Sequence, residues 1–247
     1  MKILGIDIGG SGVKGAIVNT KTGELVSERI RIPTPQPSTP KNMAKTVKKL
    51  VKQFDYKGIV GCSFPTVIVD GKAMTSGNID KKWLGTQVDK LFEKKTGNPF
   101  IVYNDADLAG MAEMKMGTGK GLKGMVIMVT IGTGLGTGIF YNGMLVPNIE
   151  LGRVLGKEGQ PIEFYAGDKA RKENELSWEE WGMRFDFFLN HVKRVFSPNY
   201  FILGGGASKK LDLYKDQLTI DVPIRVAKFK NNAGIIGAAM VVEIAKS

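Results

Sequence analysis

Apolar positions crowd the start of the chain in two short runs, "MKILGIDI" and "VKGAIVN", separated only by "GGSG". Strand, tight turn, strand is the pattern, and "TKTG" then turns the chain into a third extended run, "ELVSERIRI". Four prolines in "PTPQPSTP" (33–40) exclude a ladder or a helix interior, so this stretch is an irregular connector. In "KNMAKTVKKLVKQF" the residues Met43, Val47, Leu50, Val51 and Phe54 share one helical stripe, with lysines opposite. A buried strand, "GIVGCSF", and a hairpin, "TVIVDGKAMTS", turning at Asp70-Gly71, come next.

From residue 84 the pattern predicts a helix, a strand "PFIVYND", a helix "ADLAGMAEMKMG", and strands "KGMVIMVTIG" and "LGTGIFYNGMLV". Residues 148–176 are polar and carry no clear period. "SWEEWGMRFDFFLNHVKRVF" is a long amphipathic helix, with Ser177 as N-cap and Glu180 completing a capping box. The chain then alternates through strand "NYFILGGG", helix "ASKKLDLYKDQL", strand "DVPIRVA" and helix "NAGIIGAAMVVEIAKS". Such alternation predicts an α/β fold with mixed sheets covered by helices on both faces.

One repeat adds to this picture. "IDIGGSGVKGAIV" (6–18) lies on "VTIGTGLGTGIFY" (129–141) at an offset of 123, setting Ile8 on Ile131, Gly9 on Gly132 and Gly15 on Gly138. Two strand–glycine turn–strand units opening the two halves predict two similar lobes, with the turns on either side of a cleft. The expected division is a smaller lobe over 1–106 plus a C-terminal helix at about 233–247, and a larger lobe over 107–232.

Composition narrows the class. With 247 residues, 43% hydrophobic and 24% charged, the chain can bury a sizeable core. Asp7 interrupts the early apolar run, and no run approaches the roughly 18 apolar residues of a membrane helix, so no signal peptide or membrane partner is expected. A cytoplasmic location follows. The single cysteine, Cys62, excludes internal disulfides and a multi-cysteine zinc site, so no zinc is expected. The single histidine, His191, excludes HExxH chemistry. Cys62 reads as a small hydrophobe in a strand, and His191 with Trp178, Trp181, Phe185 and Phe188 as core and interface packing. The net charge of +11 fits either a polyanionic partner or a merely solvated surface.

Glycine turns between strands leave backbone N–H groups open to a phosphate chain. Neither turn is a Walker A loop or a Rossmann fingerprint. Asp7 and Lys14 flank the first turn, and Thr130, Thr133 and Thr137 surround the second. Asp7, at a strand end beside phosphates, suits Mg²⁺, held directly or through water. In "YNDADLAG", Asp105 and Asp107 either cap the following helix or supply a general base to a substrate hydroxyl. Glu150 and Arg153, in "PNIELGRVLG", either serve a ligand or pair with each other on the surface.

In order, "GIDIGGSGVKGAIV", "YNDADLAGMAE", "TIGTGLGTGIF", "ELGR" and "FILGGGASK" resemble the signature blocks of ROK-family sugar kinases. More narrowly, "GNIDKKWLGT", "LSWEEW" and the short length are similar to the bacterial polyphosphate glucokinases. The resemblance implies a two-lobed, ribonuclease-H-like or actin-like ATPase fold with its active site in the cleft. It also implies phosphoryl transfer from inorganic polyphosphate, or ATP, to the 6-hydroxyl of glucose, and a homodimer. By the same resemblance Asp105 is the catalytic base, and Asn78, Asn104, Asp105, Glu150, Arg153 and Glu163 bind sugar. Asp7, Gly9, Gly10, Ser11, Gly12 and Lys14 form the first phosphate motif. Thr130, Gly132, Thr133, Gly134 and Gly136 form the second, and Gly204, Gly205 and Gly206 lie near the nucleotide or polyphosphate.

Arg153 departs from the pattern, which has histidine at that position. Arginine only donates and keeps its charge, so it implies either an altered sugar or weakened catalysis. An ATP-dependent hexose or amino-sugar kinase, and a sugar- or polyphosphate-binding protein without turnover, are the competing readings. Regulators of this superfamily carry an N-terminal helix-turn-helix; here the first strand begins at residue 2, so no nucleic-acid partner is expected. The charge favours a long anionic donor, with Lys14, Lys81, Lys82, Lys120, Lys123, Lys169, Arg171 and Lys172 as candidates for a track.

Overall fold

Apolar side chains fill β1 (Lys2–Ile8) and β2 (Gly12–Asn19), which pair antiparallel from Lys2↔Asn19 to Ile8↔Val13 around the first glycine turn. The computed structural model describes residues 1–77, 79–156 and 159–245. The expected third strand, "ELVSERIRI", splits into β3 (Glu24–Leu25) and β4 (Ile30–Pro33), both paired with β2. Thr39 caps α1 (Pro40–Gln53) by accepting from the Asn42 N–H, and Pro40 occupies its first turn. Met43, Ala44, Val47, Leu50 and Val51 bury one face of α1.

β5 (Val60–Phe64) enters the sheet parallel to β1. The hairpin β6 (Ile68–Val69) and β7 (Lys72–Ala73) turns at Asp70-Gly71, both at positive φ (48° and 74°), as a type I′ turn requires. α2 (Val88–Thr96) stops at Gly97, whose left-handed φ of 83° closes the helix. β8 (Phe100–Asn104) runs parallel to β5 and feeds α3 (Asp105–Met116) with no linker. The sheet order is β3-β2-β1-β5-β8, with β4 also on β2. Its core joins Leu4, Ile6, Val47, Leu50 and Cys62 to an aromatic group in which Phe64 meets Trp83 edge-on at 4.7 Å.

The second sheet starts from β9 (Met125–Ile131) and β10 (Leu135–Tyr141) around the second glycine turn. The expected single strand "LGTGIFYNGMLV" is a hairpin: Asn142 and Gly143 take positive φ (50° and 83°) and send β11 (Met144–Val146) back along β10. Within the stretch that has no period lie α4 (Glu163–Ala166) and α5 (Asp168–Glu173). α6 (Trp178–Phe196) carries the full Ser177–Glu180 capping box and buries Trp181, Phe185, Phe188 and Leu189. β12 (Tyr200–Gly205) and β13 (Ile224–Val226) complete the order β11-β10-β9-β12-β13. The helix expected over "ASKKLDLYKDQL" is instead two 3₁₀ segments, Ala207–Leu213 and Lys215–Gln217, kinked at Lys210. Ser208, Leu211 and Tyr214 turn inward three residues apart, which is the 3₁₀ period.

The final helix, α7 (Ala233–Ile244), returns to the first sheet and is apolar all round. Its backbone rests directly on glycines. A Cβ at Gly5 would lie 2.1 Å from the Ile235 carbonyl oxygen, and one at Gly61 would lie 1.6 Å from that of Ala238. The chain therefore forms two compact units: residues 1–112 with the segment from Asn232, and residues 113–231. The division falls inside α3. The two sheets share one strand order, a hairpin pair flanked by two parallel strands, so the glycine repeat is a repeat of topology. Its offset shifts within the turn, because four residues separate Ile8 from Val13 but three separate Ile131 from Leu135. Val13 thus corresponds to Leu135, at 122.

Candidate active site

In the first unit, Asp7, next to last in β1, stands opposite Lys14 in the hairpin register, and their side chains form an ion pair at 3.0 Å. The Ser63 hydroxyl, from β5, donates to the other Asp7 oxygen at 3.0 Å. Gly234, at the start of α7, leaves the space the carboxylate needs: a Cβ there would stand 2.7 Å from Asp7 Oδ1. The turn itself is closed by Gly9 N–H donating to the Gly12 carbonyl at 3.0 Å. It is braced from outside by Thr34, which donates to the Gly9 carbonyl, and by Arg31, which donates to the Ser11 carbonyl at 2.6 Å. Gly10 and Ser11 are exposed at its tip. Arg31 and Ser63 were not legible in the sequence, since each reaches this region only through sheet register; Asp7 and Lys14 were, as residues flanking the turn, though not as an ion pair.

Asp105 and Asn104 stand at the end of β8. Asp7 pairs with Ser63, and Ser63 with Tyr103, so all these acids and hydroxyls gather at the C-terminal ends of three adjacent parallel strands. Two strand spacings, with the two-residue step from Tyr103 to Asp105, set Asp7 and Asp105 roughly 12 Å apart. Asn104 is buried. Its amide donates to the Thr66 carbonyl, and its oxygen accepts from the Ala106 and Asp107 N–H groups, capping α3. Asp107 is 1% exposed, whereas Asp105 is half-buried, with one oxygen accepting from the Ala106 N–H at 2.8 Å. Of the two acids, Asp105 is the one open to solvent. Cys62 is fully buried; burial, then the Asp7 charge, pushes its thiol well above its ordinary pKa, and it packs as a small hydrophobe. Asn78 lies outside the described residues.

In the second unit, Gly132 N–H donates to the Gly134 carbonyl at 3.0 Å, closing the second turn as the first is closed. Thr130 pairs with Gly204 and Ile131 with Gly205, so the "GGG" segment runs beside this turn. Gly205 takes φ 80°, and a Cβ there would strike the Ile131 carbonyl at 2.3 Å. Thr137 anchors the loop that carries Glu150: its hydroxyl donates to the Ile149 carbonyl at 2.6 Å and accepts from the Leu151 N–H at 2.9 Å. Gly152 lets that loop lie on β10, where a Cβ would meet the Leu135 carbonyl at 2.2 Å. Glu150 is half-buried and Arg153 exposed, and among the described residues Arg153 forms no ion pair. Glu163 lies over the second turn, accepting from the Leu135 N–H at 3.3 Å, and a Cβ at Gly134 would displace its carboxylate.

The basic candidates fall into two kinds. Lys169, Arg171 and Lys172 on α5 are ion-paired with Glu173 or Asp168, and Lys14 with Asp7. Lys81, Lys82, Lys120 and Lys123 form no ion pair among the described residues. The aromatic helix is core on one face: Trp181, Phe185 and Phe188 are fully buried, while Arg171 stacks on Trp178 at 4.1 Å and His191 packs near Phe187. Among the described residues no helix is long and apolar enough to cross a membrane. Nor does any group of three or more His, Cys, Asp or Glu there form a metal cage. Asp7 fits a cation of another kind: Mg²⁺ keeps most of its water and needs only one or two carboxylates plus substrate phosphates.

Residues 3–148 match the ROK family. The polyphosphate glucokinase of Mycobacterium tuberculosis is 39% identical over 237 residues, covering 96% of this chain and 89% of that protein. A glucokinase of Halalkalibacterium halodurans is 31% identical, covering 97% and 94%. The crystal structure of an inorganic polyphosphate/ATP-glucomannokinase from Arthrobacter sp. strain KM superposes with a TM-score of 0.95 at 42% identity, covering 99% of both chains.

Proposed function

The chain belongs to the ROK family of kinases, with its actin-like ATPase fold of two α/β units, and from that premise we propose that it transfers the terminal phosphoryl group of inorganic polyphosphate to the 6-hydroxyl of glucose. The observation that carries this reading is the placement of Asp7 and Asp105 at the C-terminal ends of β1 and β8, parallel strands with β5 between them, Asp7 beside a glycine turn and Asp105 at the head of α3. In α/β sheets ligands gather at that edge.

Asp105 takes the proton from the sugar O6 as the O6–P bond forms and the P–O bond to the next phosphate breaks, and the donor leaves one unit shorter as an anion. The N–H groups of the two turns cradle phosphates, with Lys14 and Arg31 supplying positive charge beside the first. Mg²⁺, bound through Asp7 and the phosphates, would offset the charge that spreads over the transferring group. Glu150, Glu163 and Asn104 contribute sugar-hydroxyl contacts, and Arg153 adds a guanidinium that donates to an acceptor-rich edge of the sugar. The reaction is placed in the cytoplasm, where the reduced state of a lone cysteine is the ordinary one.

A homodimer is the proposed assembly. α6 exposes Met183, Phe187 and Val195 on one face. On that face Glu180 and Arg194 each stand seven residues from Phe187, so an antiparallel copy sets each Glu180 against the other's Arg194. Phe187→Asp should convert a dimer to monomers in sedimentation; an unchanged mass would refute this face.

The test of function is a matrix of donors and acceptors with Mg²⁺: polyphosphate or ATP against glucose, mannose and amino sugars. Glucose 6-phosphate from polyphosphate is the expected product. Turnover with ATP alone would make the protein an ATP-dependent hexose kinase, an amino-sugar preference would move the acceptor, and binding without turnover would end the catalytic reading.

A further inference from the structure

α1 carries five lysines, Lys41, Lys45, Lys48, Lys49 and Lys52, and no carboxylate. At 100° per residue, Lys41, Lys45, Lys48 and Lys52 fall on one line, opposite the buried face, and Lys49 flanks it. The line spans about 16 Å. Among the described residues none of the five forms an ion pair. Helix lysines elsewhere do find carboxylates: Lys90 meets Glu93, Lys169 meets Glu173, Lys172 meets Asp168 and Lys215 meets Asp212. Like charges three and four residues apart oppose helix formation, so α1 keeps this stripe against its own stability.

The stripe is joined to the first glycine turn. Thr34 holds the Gly9 carbonyl, and five residues later Thr39 caps α1. Between them, Ser38 accepts from the Asp80 N–H at 3.2 Å, and its carbonyl accepts from the Trp83 indole at 2.8 Å. That ties the exposed Lys81 and Lys82 to the head of α1. A basic line thus runs from the turn, past Lys81 and Lys82, along the helix.

We propose that the α1 stripe is a second binding site for a linear polyanion, one that holds the distal part of a long polyphosphate while its end lies at the glycine turn. This rests on the polyphosphate reading of the active site and extends it to a surface about 16 Å long that touches no reacting group. A row of ammonium groups binds such a chain by releasing its counterions, with no need for fixed geometry. Single-stranded nucleic acid fits less well, because α1 contains no aromatic residue on which a base could stack.

The test compares wild type with the triple variant Lys45→Gln, Lys48→Gln, Lys52→Gln, using end-labelled polyphosphate of several hundred units and anisotropy over a range of salt. Affinity at low salt should fall about 10- to 30-fold, and the slope of log K against log salt should flatten by about two. The corresponding Lys→Arg triple should bind as wild type does. Glucose phosphorylation driven by ATP or by a polyphosphate of a few units should stay within twofold, while KM for the long polymer rises about tenfold. Equal affinity and slope in the Gln triple would overturn the site, and so would RNA of matched length binding wild type more tightly than polyphosphate. If wild type makes no glucose 6-phosphate from polyphosphate, the donor reading falls, while the binding comparison still decides the stripe. If wild type turns over and the triple keeps the same KM for long and short chains, the stripe alone falls.

Discussion

Gly234→Ala separates the geometry of the phosphate end from the stability of the fold. The new Cβ would stand 2.7 Å from Asp7 Oδ1, 2.9 Å from its Cγ and 3.2 Å from Ser63 Oγ. Contacts under about 3.4 Å are repulsive for carbon, so the carboxylate must retreat by roughly 0.5–0.7 Å. It cannot do so freely, because Lys14 holds one oxygen and Ser63 the other, both at 3.0 Å. A displacement approaching 1 Å at a reacting centre costs up to about 100-fold, so kcat should fall between about 10- and 100-fold. The fold suffers far less. Overpacking costs about 1–3 kcal/mol, and alanine returns up to about 1 kcal/mol of helix propensity. The net loss is at most about 3 kcal/mol, or a Tm lowered by no more than about 12 °C. Steady-state rates with saturating glucose, alongside thermal melts, check both parts. A variant with wild-type kcat would show that the placement of Asp7 is not critical; one that fails to fold would show that the helix start, not the carboxylate, sets this glycine.

Asp105→Asn should lower kcat by about 10²- to 10⁴-fold while glucose affinity, read by calorimetry, stays within about threefold. Thr137→Val removes the hydroxyl that staples Ile149 and Leu151, and should cost about 1–3 kcal/mol in urea unfolding and raise the glucose KM, because the Glu150 loop loosens. Gly61→Ala, which drives a Cβ to within 1.6 Å of the Ala238 carbonyl, should destabilise by at least about 3 kcal/mol, detected as loss of a cooperative melt; a normal melt would mean that α7 does not rest on β5 as described.

What could be read from the sequence was mostly local. The Ser177–Glu180 capping box, the Asp70-Gly71 turn and the lysine-backed face of α1 follow from residues within one turn of each other, and each appears as expected. The Asn142-Gly143 turn carried an equally local signal, but an apolar run on both sides masked it. Long-range requirements left no trace. Gly5 and Gly61 look like weak points in strands until α7, about 180–230 residues later, lies on them. Arg31 and Ser63 look like surface and strand residues until β4 and β5 bring them to the first turn. The proposed phosphate end is therefore marked in the sequence by its glycines and flanking charges, while the residues that brace it are not. At the proposed sugar end, Thr137 and Gly152 were hidden as holders of the Glu150 loop, since their partners are backbone groups that no motif records.

Phosphorus NMR of the purified protein with long-chain polyphosphate, glucose and Mg²⁺, in the absence of any nucleotide, tests the central claim most directly. A sugar phosphate ester resonance should grow as the internal polyphosphate signal falls, one ester for each P–O–P bond lost, with almost no orthophosphate when glucose is omitted. No ester, or orthophosphate released at the same rate with and without glucose, would contradict transfer to the sugar hydroxyl.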